Sequence, residues 1–152
     1  MPNLRIANYL KDHHVPYEII KHKPVYTAQE IAAEAHIPGD SLLKVVILKM
    51  DNKLIMLLES ANKKIDMEDF AKRLGATRVE LAHEYEFEEI FPECDVGAMP
   101  PFGDLFNIDV YIDDAIGNQE EIAFNAGNHS ELIRMRFSDF ERLVKPKHIR
   151  IH

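Results

Sequence analysis

The chain has 152 residues, 46% of them hydrophobic and 29% charged, and a formal net charge of −8. That size suits one domain with a real core, and the composition is that of an ordinary soluble globular protein. The apolar runs at 45–48 and 54–58 fall far short of the ~20 residues of a membrane helix. No secretory-signal pattern opens the chain, the lone Cys94 excludes an internal disulfide and fits a reducing cytoplasm, and the acidic balance argues against tight non-specific nucleic-acid binding.

In chain order, 4–13 reads as a helix with Ile6, Tyr9, Leu10 and His13 on one face, and 17–20 as a short strand. Thr27-Ala28-Gln29-Glu30 is a capping box opening a helix with Ala28, Ile31, Ala32 and Ala35 inward, ended by Pro38-Gly39. Residues 44–50 and 53–59 read as two strands joined at Asp51-Asn52; nearly all apolar, they are expected to be central and covered on both faces. Asp66 caps a helix with Met67, Phe70, Ala71 and Leu74 inward and Gly75 at its end. An acidic helix is expected over 81–90, stopped by Pro92. Residues 106–112 alternate strictly and read as a half-buried strand, with a turn at Gly117-Asn118 and a strand at 121–125 pairing back. A short strand at 132–135 and a helix opened by the Ser138–Glu141 box and running to Val144 complete the chain. No regular βαβ alternation is present. The expected fold is therefore α/β of the α+β type: residues 1–152 as a single domain, a mixed, mostly antiparallel β-sheet surrounded by helices.

The charge is segregated. Residues 1–79 carry net +2, residues 122–152 carry +3, and residues 80–121 contain 13 acidic side chains and no Lys or Arg. A small basic site for a phosphate group is therefore compatible with the net charge if the acidic stretch faces elsewhere.

Several motifs carry no chemistry. Ser41-x-x-Lys44 lacks the companion motifs of penicillin-binding enzymes. His83-Glu84 lacks the second His of a zinc-protease helix, the remaining histidines show no ligand spacing, and no phosphate-binding glycine loop occurs. Asn128-His129-Ser130 is a glycosylation sequon without a signal peptide. Cys94 sits among Glu93 and Asp95, where a thiolate is disfavoured.

Three stretches remain. Gly97-Ala98-Met99-Pro100-Pro101-Phe102-Gly103 is a stiff loop, because adjacent prolines fix two φ angles and bias the preceding residues toward extended geometry. Its N–H groups at 97–99 could be aimed as an oxyanion hole, or the stretch could be a plain rigid turn. Lys44 opens a near-continuous apolar strand, either snorkelling to solvent or pointing into a pocket. Asn125-Ala126-Gly127-Asn128-His129 closes a strand with small and polar residues.

Taken in order, Lys44-Val45-Val46-Ile47-Leu48, the Gly97–Gly103 loop and Phe124-Asn125-Ala126-Gly127 resemble the motifs of the YbaK/prolyl-tRNA-synthetase-associated family, over residues 26–144. The family's Gly-x-x-x-Pro maps onto Gly97 and Pro101 and its functional lysine onto Lys44; the match at His129 is looser, since only some branches use a His there. The resemblance implies a freestanding aminoacyl-tRNA deacylase in the cytoplasm. It would hydrolyse the ester of a mischarged tRNA, such as alanine or cysteine on proline tRNA, with help from the substrate's own ribose hydroxyl. It implies no metal or organic cofactor, no membrane, the tRNA 3′ end as ligand and a synthetase as a possible partner. Backbone groups of Gly97 and Ala98 would take the carbonyl oxygen, Pro101 would shape the loop, and Lys44 would bind the terminal phosphate or orient the ester. His129 and Asn125 would line the site, with Tyr26 and Thr27 as pocket wall and Met99, Phe102, Gly103 and Gly127 as substrate contacts. The alternatives are a non-catalytic binding module of the same fold, with the acidic segment 84–93 as its partner surface, and a hydrolase of small aminoacyl or thioester compounds.

Overall fold

A computed structural model describes residues 4–91, 94–95 and 97–150. Its organising unit is the hairpin of β2 (Leu43–Met50) and β3 (Lys53–Ser60). Asp51 and Asn52 both take positive φ, 48° and 71°. This is the turn whose twist matches the two strands, and short polar side chains tolerate it best. The Asp51 carboxylate then accepts the N–H groups of Thr77 and Arg78, tying the turn to β4 (Val79–Leu81).

The hairpin lies inside a five-stranded sheet of order β4-β2-β3-β5-β8, with β5 at Asp109–Asp113 and β8 at Lys147–Ile149. The β4–β2 and β2–β3 pairs are antiparallel, β3–β5 and β5–β8 parallel. A second, antiparallel sheet has the order β1-β7-β6: β1 is Glu18–Lys21, β7 Glu131–Arg136 and β6 Glu121–Asn125. One parallel bridge, Leu42 to Ala123, joins the sheets.

Alternation along the strands sorts the core. Leu43, Ile47, Met56 and Leu58 pack with Phe124 and Ile133 of the smaller sheet, with Ile6 and Leu10 of α1 (Leu4–Asp12) and with Phe140 of α5 (Phe137–Val144). The opposite face, Leu48, Ile55 and Leu57, meets Phe70 of α3 (Met67–Leu74) and Tyr111. Leu42, Ala123 and Leu132 lie against Ile31 and Ala32 of α2 (Ala28–Glu34). Both central strands are thus covered on both faces, as their apolar runs predict.

The class and most elements agree with the sequence, and the differences have physical causes. The strands form two sheets rather than one, and β6 pairs with β7, not back onto β5. The expected acidic helix over 81–90 reduces to one turn, α4 (Glu84–Phe87), because Val79–Leu81 is recruited as an edge strand and no basic residue spaces the glutamates. Pro92 and Glu93 lie outside the described residues. Residues 103–106 form a 3₁₀ turn, and β5 starts only at Asp109. It is buried on both faces, because Val110 and Ile112 pack into the main core while Tyr111 packs on Phe70 from the opposite face. The Ser138 box is unused, since α5 starts at Phe137. The helix α2 ends at Glu34 with Ala35 as its cap, ahead of Pro38-Gly39, and His36 turns to φ 57°. His13 is exposed, its ring against Tyr9. Among the described residues, no helix is long and apolar enough to cross a membrane.

Candidate active site

The Gly97–Gly103 loop is clasped to the residues that follow β6. Asp95 N–H donates to Gly127 O at 2.8 Å, and Gly127 N–H donates to Ala98 O at 3.1 Å. Gly97 and Gly127 take φ +86° and +96°, a region that charges any other residue a steric penalty. Beyond Gly97 the loop is interior. Ala98 and Phe102 are fully buried, and Phe102 sits edge-on to Tyr9, Phe124 and Phe140. At Gly103 a Cβ would lie 2.5 Å from Val110 Cγ2 and 2.6 Å from Ile108 O, so only glycine fits.

These placements revise the assignments within the loop. Phe102, Gly103 and Met99, read as substrate contacts, are buried anchors that hold the loop's shape. Pro101 is buried too. Ala98 N–H is spent on Asp95 O at 3.0 Å, so in this conformation it does not point at a ligand. Among the described residues, the Gly97 N–H has the Met99 thioether as its acceptor, at 3.2 Å. Sulfur is a weak acceptor, so this part-buried N–H is weakly held.

The exposed side of Gly97 faces His129, whose Cε1 would lie 3.6 Å from a Cβ built at Gly97. The Tyr26 ring stands 4.7 Å from the His129 ring, tilted by 58°, and Tyr26 is 71% exposed. Local chemistry places both rings. Thr27 caps α2: its hydroxyl accepts Glu30 N–H and donates to the Glu30 carboxylate, while its own N–H reaches the same carboxylate. Thr27, expected in the pocket wall, is occupied as the cap of α2, directly after Tyr26. On the other side, Asn128 Oδ1 accepts Ser130 N–H and Oγ–H, and Asn128 Nδ2 donates to Glu131, a local turn that presents His129.

Lys44 approaches from the large sheet. From the Leu42–Ala123 bridge, β2 and β6 set out in the same direction, so alternation puts Lys44 and Asn125 on the face that Leu42 and Ala123 share. Asn125 Oδ1 is buried there and accepts no hydrogen bond from the described residues. Lys44 does not snorkel freely. Its ammonium lies 3.4 Å from Glu59 Oε1 and donates to the Lys63 carbonyl, with the side chain 27% exposed. Among the described residues its polar contacts are these two, and none is with the Gly97–Gly103 loop.

The structure thus gathers Tyr26, Gly97, Gly127 and His129, sets Lys44 and Asn125 on the adjoining β2–β6 seam, and withdraws Thr27, Met99, Phe102 and Gly103 into support. Glu59 escaped the sequence reading. The signal was available: a two-residue turn at Asp51-Asn52 pairs Lys44 with Glu59 directly across the hairpin. Among the described residues, no group of three or more His, Cys, Asp or Glu is placed to hold a metal ion.

Known proteins share this arrangement of elements. The chain is similar to the prolyl-tRNA editing protein ProX of Acetoanaerobium sticklandii, 23% identical over 137 residues that cover 86% of this chain and 83% of the relative. It is 24% identical over 151 residues to the multifunctional Ser/Thr-tRNA deacylase ProXp-y of Escherichia coli K12, covering 94% and 88%. A proline–tRNA ligase of Bacillus cereus matches over 90 residues at 29% identity, 59% of this chain but 16% of the ligase. Among solved structures, one described as a candidate trans-editing enzyme for prolyl-tRNA synthetase superposes with a TM-score of 0.82 at 17% identity, covering 97% and 94%, which speaks for the fold alone. The aminoacyl-tRNA editing domain matches residues 22–143 as a family, and by that match over most of its length the chain belongs to the aminoacyl-tRNA editing domain family.

Proposed function

We propose that this protein hydrolyses the ester that joins a mischarged small amino acid to the 3′ end of a tRNA, acting in the cytoplasm through residues 1–152 as one editing domain. Alanine and cysteine on proline tRNA are the first substrates to try. Serine and threonine follow, because one relative is named a Ser/Thr-tRNA deacylase. The observation that carries this reading is the clasped Gly97 loop, whose Gly97 N–H is held by the weakly accepting Met99 sulfur and whose Cα side adjoins His129, with Tyr26 against the His129 ring.

An aminoacyl ester is already activated. Its hydrolysis needs a donor for the carbonyl oxygen and a placed water more than a covalent nucleophile. Gly97 N–H supplies the donor once it leaves the Met99 sulfur. His129, beside it, orients water or the ribose hydroxyl, and Tyr26 offers an exposed aromatic face to the terminal base, as single-stranded RNA ends favour. Lys44 supplies a second donor from the β2–β6 seam, and Asn125 Oδ1 a buried acceptor for a substrate N–H or O–H. A synthetase is the partner class that would lend tRNA affinity to an acidic chain.

The test is a deacylation panel on tRNAs charged with alanine, cysteine, serine and threonine. Catalysed release of at least one amino acid is expected, lost in Gly97→Ala. No turnover on any charged tRNA, together with RNase-insensitive capture of a synthetase, would instead identify a non-catalytic binding module.

A further inference from the structure

The buried carboxylate of Glu59 is the largest unexplained feature beside the site. Glu59 is 1% exposed, near the end of β3 in the middle of the larger sheet. A carboxylate withdrawn from water is retained only with a charge partner and hydrogen bonds. Among the described residues, Lys44 is such a charge partner. The two residues are paired across the hairpin, and Lys44 Nζ lies 3.4 Å from Glu59 Oε1. The same ammonium donates to the Lys63 carbonyl, just beyond β3.

We propose that Glu59 is a positioning residue, holding the Lys44 ammonium as an aimed hydrogen-bond donor for the aminoacyl ester. The inference rests on the reading of Lys44 as a site residue. A lysine has a flexible four-carbon stem and points nowhere in particular unless it is held. Here it is held twice. Of its three N–H donors, one faces Glu59 and one the Lys63 carbonyl, which leaves the third for an acceptor on a ligand. The side chain is 27% exposed, so that third donor can reach one.

The pair also decides between the two roles open to Lys44. Beside a carboxylate, the ammonium carries little net charge at a distance. It is poorly suited to draw in a phosphate and well suited to direct one hydrogen bond at an ester or ribose oxygen. Rigid mounting is what such a donor requires, and the central hairpin provides it.

Steady-state deacylation of wild type, Glu59→Gln, Lys44→Met and the double variant tests this, with folding checked by circular dichroism. In Glu59→Gln, kcat should fall on the order of 10-fold, the loss typical when the partner that orients a functional group is removed, with KM nearly unchanged. In the Lys44→Met background the same substitution should cost less than about twofold, because two residues acting through one group are non-additive. Lys44→Met should leave the salt dependence of KM unchanged, whereas loss of a phosphate contact would flatten its log–log slope by about 0.7. An unchanged kcat in folded Glu59→Gln, an equal loss in both backgrounds, or a flattened slope overturns the proposal. A readout independent of activity is the 15N–1H signal of the Lys44 ammonium: expected to be protected from solvent exchange in wild type and lost in Glu59→Gln. A wild-type signal exchanging as fast as those of exposed lysines overturns the tether, even if no Glu59 variant folds. A wild-type rate in Lys44→Met sinks the assignment of Lys44, and the positioning role with it. Loss of activity in Lys44→Met with a silent Glu59→Gln sinks only the role of Glu59.

Discussion

The two halves of the Gly97–Gly103 loop contrast sharply. From Ala98 to Gly103 the chain is interior and over-determined: Phe102 is locked among three rings, and Gly103 leaves no space for a methyl group. At Gly97, the first residue of the loop, the chain is exposed, its N–H has a poor acceptor, and its side-chain neighbour is His129, against which Tyr26 stands. Burial supplies stiffness on one side, and exposure on the other leaves backbone open to the role proposed for Gly97. A stiff support is what lets a single backbone donor stay in register with a reacting carbonyl, since a displacement of about 1 Å can cost on the order of 10²-fold in rate.

Substitutions in the two halves should therefore fail differently. Phe102→Ala should cost about 3–5 kcal/mol of stability, read as a lower midpoint in urea or heat, with activity lost only because the fold is lost. Gly97→Ala should leave the melting temperature within a few degrees but lower kcat on the order of 10²-fold, the usual cost of one oxyanion donor. The cause is conformational, because at 3.6 Å from His129 a methyl group has room, while φ +86° disfavours it. If Phe102→Ala loses activity without loss of stability, or Gly97→Ala unfolds the protein, the contrast is wrong.

Smaller effects sharpen the same boundary. Thr27→Ala removes the cap of α2 and should cost about 1 kcal/mol of stability. It should also loosen Tyr26 and so raise KM, whereas Tyr26→Ala should raise KM with little change in melting temperature.

The smallest effect concerns Asp104, just past the buried half. Burial is the main cause that raises its carboxyl pKa above the usual range, and its side chain accepts the Tyr9 hydroxyl at 3.3 Å. A folded pKa above the unfolded one contributes stability that is present below the unfolded value and lost as pH rises through the folded one. Asp104→Asn should thus be slightly more stable than wild type at neutral pH. The difference should vanish as pH falls below the ordinary carboxylate range. Parallel melts at pH 7 and pH 3 check the sign.

Legibility followed the range of the interactions. The β2–β3 hairpin, the Thr27 box and the Asp66-to-Gly75 span of α3 read directly, because each is written in residues within a turn or two of one another. Lys44, Gly97, Asn125 and His129 were legible as candidates through their motifs, but their roles were not. Whether the N–H of Ala98 is free depends on where Asp95 lies, and whether Phe102 is a wall or an anchor depends on Tyr9, Phe124 and Phe140. The acidic stretch misled for the same reason. Its glutamates suggested a long helix, yet Val79–Leu81 pairs with β2, and Glu86 is held by the His83 N–H and by Lys49, which keep its carboxyl pKa low.

Residue pattern alone accounts for the α+β class, the central hairpin, the capped helices and the choice of a glycine-proline loop as the unusual feature, since these depend on short-range sterics and hydrophobic period. Tertiary structure alone decides that the strands divide into two sheets joined at Leu42–Ala123, that the loop's aromatic end is core, and that the Glu59 carboxylate beside Lys44 is buried. Each of these is a contact between chain-distant groups or a question of burial. Its free energy comes from water excluded when the elements pack, which no local window of residues contains.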